Sequence, residues 1–525
     1  MNERNGVSPQ VLLVVTTATI VVLAVAFAGC MGKPTATELA VSITGPDGER
    51  VSADVAVYAG ETLLQQTAVT EGRAILKDLP QGSKVTLIVS KPGFEPTQTE
   101  FVAGSKPLLL LELKKATAVA RVQGTADFLI VSVRNRLESK YGSQTASEII
   151  GKMQRLAEAV ETTEKLSTQV VLLDDTDSMA EFNATQLQSA SEERTLAAIN
   201  ILVLKAKPKY LLIVGGEKIV PFQRIQNPLM HAPESDAFQF IWQTDTEVLT
   251  DNPYAIAALD SKCSDCQPDI AVGRLPDGTE DFAQGDALLS TMLDNAIAAH
   301  NFRPTFSYAS KMISSDSYYH YLDRLPFETD SQFAIVPPAF GVKLIDLSYN
   351  PGSSGELHER FKSNTVFLSV HGNEPLQEQA LEGRERGSIE GFLVLNPGLA
   401  DSIDYDGKIV LADSCYGANP LREKKQSIPI LFLEKKARFF AGSTMTALSD
   451  NRITYETADE AKIRESGTSN AFTYFFLKAV SSGSKAGDAF VTAKRQLDLN
   501  KEVNQLTLLE YVLYGDPTLS AGRRA

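Results

Sequence analysis

The sequence predicts an α/β fold: mostly parallel sheets flanked by helices, preceded by a small β-sandwich. Three observations predict it. Short runs rich in β-branched residues alternate with segments of helical periodicity from about residue 120 onward, the signature of βαβ units. The segment 35–115 instead alternates every second residue between regularly spaced turns, as antiparallel strands do. Finally, two apolar runs in the last third, Val366-Phe367-Leu368-Ser369-Val370 and Lys408-Ile409-Val410-Leu411-Ala412-Asp413-Ser414, run into His371-Gly372 and Cys415. Reactive residue types closing buried strands are how such a fold presents its chemistry.

The chain has 525 residues, too long for one core, so several units are expected. We divide it into 1–30, 35–115, 120–305 and 306–525. Hydrophobic content of 43% and charged content of 22% are those of an ordinary globular protein. A formal charge of −15 argues against a nucleic-acid partner, whose footprint would be basic.

The amino terminus reads as an address. Residues 11–29 are apolar except for Thr16, Thr17 and Thr19, follow a segment containing Arg4, and end at Ala28-Gly29-Cys30. Small residues before a cysteine resemble a lipoprotein processing site, which would lipidate Cys30. Phe27 is larger than the usual residue there, so the alternative is an uncleaved signal anchor of about 20 apolar residues. Either reading exports the bulk of the chain and tethers it to the outer face of the cell membrane.

In 35–115, turns at Gly45-Pro46-Asp47-Gly48, Gly60, Pro80-Gln81-Gly82 and Pro92-Gly93 separate strands such as 53–58 and 84–89. Leu79-Pro80-Gln81-Gly82, a strand, then Lys91-Pro92-Gly93-Phe94 resembles the transthyretin-like modules of secreted peptidases. This segment has no evident chemistry, leaving spacer, prosegment and carbohydrate-binding module open.

Beyond it, strands at 128–131 and 169–173 bracket a helix over 147–166, with Ile149, Ile150, Met153, Leu156, Ala157 and Val160 on one face. A second helix over 197–205 precedes a strand at 210–214. Another α/β half starts near 308 and holds the His371 and Cys415 strands, a strand at 438–441, and helices over 469–479 and 485–497.

About forty residues separate His371 from Cys415, enough for the dozen or more that a parallel crossover needs. The two side chains are therefore expected to be neighbours. A free thiol, with a pKa of about 8.5, is mostly protonated at neutral pH and needs an adjacent base to become a nucleophile. His371 is that base, and it can return the proton to a leaving amine. Gly372 lets its backbone amide approach a reacting carbonyl, and with the amide of Cys415 it would stabilise the oxyanion.

His-Gly after one apolar run and Cys after the next resembles the caspase-haemoglobinase fold of cysteine peptidases, and the flanking segments resemble the gingipain-like family within it. Lys207-Pro208-Lys209-Tyr210-Leu211-Leu212-Ile213-Val214-Gly215-Gly216 with Val220-Pro221 is similar to an early strand and loop of that family. Pro268-Asp269-Ile270-Ala271-Val272-Gly273-Arg274-Leu275-Pro276 is similar to its most recognisable string. Ala441-Gly442-Ser443-Thr444 resembles the strand walling the primary specificity pocket, so the resemblance implies that Gly442, Ser443 and Thr444 bind substrate. Leu513-Tyr514-Gly515-Asp516-Pro517-Thr518-Leu519 is similar to the closing motif. The set spans roughly 125–520 in the family's order, and it implies an endopeptidase acting on proteins or peptides through a Cys415–His371 dyad without a required cofactor. Its rival is a catalytically silent surface binding or scaffolding protein on the same fold. Papain-like enzymes fit poorly, because their cysteine precedes the histidine.

Cys263 and Cys266 form a C-x-x-C pair with no second pair to complete a zinc site and no thioredoxin-like context. Outside the cell a local disulfide is expected, which leaves Cys415 as the unpaired thiol. Asp245, Asp251 and Asp260 lie in an acidic loop where the family sometimes holds calcium, but D-x-D-x-D-G spacing is absent. His231, His300, His320 and His358 lack partners at metal-ligand spacing and read as structural or solvent-facing. Arg422-Glu423-Lys424-Lys425 reads as a solvated loop.

Overall fold

The architecture comes from a computed structural model. It describes residues 36–520 except 60–61, 92–93, 95–96, 116–123, 232–244, 259–261, 279–283, 302–308, 315–327, 330–364, 374–378, 385–390, 404, 422–425 and 450–458. The apolar run 11–29 and Cys30, Asp260, His320, His358 and 422–425 lie outside the described residues. No described helix is long and apolar enough to cross a membrane.

Period-two alternation from residue 36 makes seven strands: β1 (Ala36–Thr44), β2 (Ala53–Ala59), β3 (Thr62–Val69), β4 (Arg73–Pro80), β5 (Lys84–Ser90), β6 (Thr97–Val102) and β7 (Leu108–Glu112). They form two sheets, ordered β3-β2-β5-β6 and β4-β1-β7. The inward residues of each strand, among them Val41, Val55, Leu76, Leu87 and Leu111, share one core, which makes this unit a small β-sandwich.

The second unit is built on a ten-stranded sheet. Its strands are β8 (Phe128–Ser132), β9 (Thr168–Leu172), β10 (Tyr210–Val214), β13 (Ala271–Leu275), β14 (Ala309–Ser314), β15 (Glu328–Thr329), β16 (Thr365–Ser369), β20 (Ile409–Asp413), β21 (Phe439–Ser443) and β22 (Tyr511–Gly515). The order is β15-β14-β16-β20-β21-β22-β13-β10-β8-β9. Strands β15 to β21 run parallel to one another, as do β22 to β9, and the two sets meet antiparallel where β21 pairs with β22. The two α/β halves are therefore fused into one sheet, and the last strand of the chain lies in the half begun at β8. Two small ribbons sit outside the sheet: β11 (Gln223–Gln226) with β12 (Glu247–Thr250), and β17 (His371–Gly372), β18 (Leu381–Arg384) and β19 (Gly391–Leu395).

Local sequence explains the helices. Helix Ser143–Glu164 buries the apolar face expected of it and begins a turn early, because its first turn is polar and leaves no apolar trace. In helix Glu192–Ala206 the Ser191 hydroxyl accepts from the Arg194 amide, acidic Glu192 and Glu193 open the first turn, and Lys205 closes the last. Helices Thr468–Ser481 and Ala486–Lys494 pack Phe472, Phe476 and Phe490 against Phe439 and Leu513 of the sheet.

Two buried ion pairs brace the half that holds β13 and β22. Arg274 on β13 is fully buried, its guanidinium held bidentately by Asp251 (2.8 and 2.5 Å), hydrogen-bonded to the carbonyls of Gly215 and Val220, and stacked 3.9 Å over Phe222. Arg274 is the only charged side chain in Ala271-Val272-Gly273-Arg274-Leu275, which explains how a strand buried along its whole length accommodates it. His300, on helix Gly285–Asn301, lies buried between Asp516 (2.9 Å) and Glu164 (3.5 Å) and is thus structural. Despite burial, His300 holds the Asp516 carboxyl below the usual range.

Candidate active site

Strands β16 and β20 are adjacent and parallel, in a register that sets Ser369 against Asp413. Each then leaves the sheet at its carboxyl end, so His371-Gly372 and Cys415 emerge side by side. The Val370 amide still bonds the Asp413 carbonyl at 3.3 Å. Beyond this point Gly372 lies so close to Cys415 that a Cβ built on it would sit 1.5 Å from the Cys415 carbonyl oxygen. Only glycine permits that approach, and it turns the Gly372 amide toward the Cys415 sulfur. The imidazole-bearing ribbon continues as β17, paired with β18 through Glu382 and Leu381.

Cys415 opens a tight turn whose next residue, Tyr416, has a left-handed backbone (φ 56°). Such a conformation in a bulky residue costs roughly 1–3 kcal/mol and persists only where its surroundings impose it. Here they do. The amides of Tyr416 and Ala418 donate to the carbonyls of Met445 (2.7 Å) and Ser443 (2.8 Å), the Gln379 side-chain amide donates to the carbonyls of Tyr416 and Gly417, and Tyr514 donates to the carbonyl of Ala418. The Tyr416 hydroxyl donates to Asp245, which also accepts from Thr446 at 2.8 Å.

Cys415 keeps part of its surface exposed while its sulfur is enclosed. Burial, reinforced by Asp413, pushes the thiol up to about 12, with the backbone groups of Ala447 and Gly372 working the other way. The resting sulfur is therefore a thiol, 3.7 Å from the Ala447 carbonyl. Behind it lies a buried polar layer. Tyr511 donates to Asp413 at 2.8 Å, and Ser443 bonds both Glu510 and the Met445 carbonyl. Burial holds the Glu510 carboxyl well above its ordinary range, and it pulls nearby Lys494 down to about 7.

Gly442 and Ser443 lie on β21, and Thr444 follows it, one strand from the Cys415 turn. The Thr444 hydroxyl bonds the carbonyls of Leu249 and Glu510, and both hydroxyls are buried. Cys263 and Cys266 are disulfide-bonded, so the sulfurs of the Cys263–Asp265–Cys266 group are not metal ligands. Asp245 and Asp251 do not fit a calcium site, because both oxygens of each are engaged by Tyr416 and Thr446 or by Arg274. His231 is exposed. Sequence reasoning missed Tyr416, Gln379, Glu510 and Thr446. A left-handed tyrosine and a distant glutamine carry no periodic signal, and only the polarity of Glu510 within an apolar helix end hinted at a role.

A continuous sheet of two opposed parallel halves, with a cysteine and a histidine just beyond the carboxyl ends of adjacent strands, defines an α/β protein. Residues 122–335 match the profile of Peptidase family C25, the gingipain family, and the match ends before His371 and Cys415. Solved structures similar to this chain include the Arg specific cysteine proteinase gingipain R (11% identity, TM-score 0.46, covering 77% of this chain and 80% of that one). Another is the complex of Porphyromonas gingivalis RgpB pro- and mature domains (12%, TM-score 0.44, 75% and 79%). Dimeric latent PorU from Porphyromonas gingivalis is also similar (10%, TM-score 0.28, 92% and 48%). No curated protein matches the chain.

Proposed function

We propose that this protein is a membrane-tethered cysteine endopeptidase working outside the cell, with Cys415 as nucleophile and His371 as general base. The observation that carries the reading is the contact between Gly372 and the Cys415 backbone, which brings the histidine ribbon onto the nucleophile turn. A thiol with its pKa raised to about 12 stays protonated until substrate arrives. Its proton then moves to His371 as the sulfur attacks the scissile carbonyl. The oxyanion is held by the amides of Gly372 and Cys415. His371 returns the proton to the departing amine, an acyl-enzyme remains, and water activated by the same imidazole hydrolyses it. This chemistry requires no cofactor. Gly442, Ser443 and Thr444 wall the primary pocket through their backbone, since both hydroxyls are spent in the core. Cys30 is the lipid attachment point, or residues 11–29 the anchor.

One observation favours the rival reading of a silent binding protein: the enclosed, protonated sulfur. Labelling with a peptidyl acyloxymethyl ketone separates the two. The wild-type protein is expected to be labelled at Cys415, with labelling abolished in Cys415→Ala and reduced at least a hundredfold in His371→Ala. Equal labelling of wild type and His371→Ala would refute the dyad.

A further inference from the structure

The large apolar side chains most exposed among the described residues are Ile75 (58%), Val102 (45%), Leu108 (47%) and Leu110 (71%), and all belong to the β-sandwich. Three of the four share one surface. In the sheet β4-β1-β7, Ala40 on the central strand is flanked by Ile75 on one side and Leu108 on the other, and Ser42 is flanked by Arg73 and Leu110. Their inward neighbours Val41, Leu76 and Leu111 fill the core, so these residues form the outer face. Arg73, Lys77 and Lys106 border it and are exposed; Glu38, 3.9 Å from Lys77, and Glu112 share it. A soluble module gains nothing by leaving a leucine 71% exposed beside two more apolar side chains.

The opposite face of the same module is covered. On β2 and β5, Ala56 and Ile88 are buried with Tyr58 against Ala298 of helix Gly285–Asn301. Tyr58 lies within electrostatic reach of Asp406 and Arg438. Asp406 shortly precedes β20 and Arg438 immediately precedes β21, so the module sits at the amino ends of the strands whose carboxyl ends hold the Cys415 turn. The bare face therefore points away from the nucleophile, with the sandwich between them.

What covers the bare face follows from where the chain enters it. Its central strand, β1, starts at Ala36, six residues after Cys30. Six residues span at most about 20 Å, so a tether there keeps this sheet at the bilayer. We propose that the outer face of β4-β1-β7 rests on the lipid surface, its apolar side chains in the headgroup boundary and its basic rim at the phosphates, holding the Cys415 cleft outward. The proposal builds on the tethering reading above. Apolar contact drives it, and the small excess of basic over acidic groups adds a modest preference for anionic lipid.

A benzophenone amino acid placed at Leu110 of the full chain in cell membranes tests it. Illumination is expected to give a lipid adduct at Leu110 and none at exposed Ser482 of the catalytic unit. Replacing Ile75, Leu108 and Leu110 by serine, with the photoprobe moved to Arg73, is expected to lower the lipid adduct about tenfold or more, given the partition of each leucine-sized side chain. Fractionation of the same serine variant reads the anchor separately: the chain stays with the membrane. A chain held in the membrane fraction that gives no lipid adduct at Leu110, or gives a cross-linked dimer or a protein adduct there, would overturn the proposal while leaving the anchor standing. Recovery of the chain in the soluble fraction would overturn both.

Discussion

Replacing Gly372 by alanine puts the closest contact of the site to the test. The added Cβ would lie 1.5 Å from the Cys415 carbonyl oxygen, where real contacts stop at 3.0 Å, so the two strand ends must separate by about 1.5 Å. Gly372 does not have a left-handed backbone, so the damage comes from collision. A displacement of about 1 Å costs on the order of 10²-fold in rate when it moves reacting groups. Loss of one oxyanion donor costs about 10²–10³-fold, or about 2.7–4 kcal/mol of transition-state stabilisation. Overpacking at the margin of a core costs only about 1–3 kcal/mol of stability. Gly372→Ala is thus expected to fold, melting a few degrees lower, while inactivation by a peptidyl acyloxymethyl ketone slows at least a hundredfold. Simple alkylation by iodoacetamide, which needs no oxyanion site, should slow much less. Wild-type inactivation rates in a variant that melts cooperatively would refute the argument that these two strand ends form the catalytic centre.

Other consequences can be checked by similar means. Arg274→Met strands the buried Asp251 carboxylate and is expected to cost about 3–5 kcal/mol in chemical denaturation, with Arg274→Met/Asp251→Leu recovering part of it; equal losses would refute the pairing. Tyr416→Phe takes one hydroxyl donor from Asp245, and should cost about 1–3 kcal/mol and slow thiol labelling by displacing the turn. Glu510→Gln removes a carboxyl that burial keeps protonated. Below about pH 4.5 the folded and unfolded chains both hold that proton; above it only the folded chain does, so wild-type stability falls as pH rises. The melting temperature of the variant should therefore draw ahead of wild type between pH 4.5 and 8, and a gap independent of pH would disprove the assignment.

Strand runs and helix faces were legible because burial leaves a periodic trace. Tyr210–Val214 stands where its apolar run begins and ends, whereas helix Ser143–Glu164 starts a turn early because exposed residues carry no signal. The adjacency of the strand ends that carry His371-Gly372 and Cys415 followed from two short apolar runs joined by a crossover-length segment. The joining of the two halves into one sheet did not, since nothing local in Tyr511–Gly515 says that this strand lies beside both β21 and β13. Side-chain destinations were harder still. Asp245 and Asp251 looked like members of one acidic loop, but the former braces the Cys415 turn and the latter neutralises Arg274. Such partners lie more than twenty residues away and become visible only once the chain has folded.

The seam between the two halves bears on biosynthesis. β22, made of residues 511–515, hydrogen-bonds the strand next to the one that ends at the Cys415 turn, and its Tyr511 and Tyr514 hydroxyls bond Asp413 and Ala418 on either side of Cys415. A nascent chain that has emerged as far as Cys415 still lacks this support. A polypeptide caught midway through synthesis therefore cannot yet brace its Cys415 turn, and a premature stop before Tyr511 leaves the whole molecule without that support.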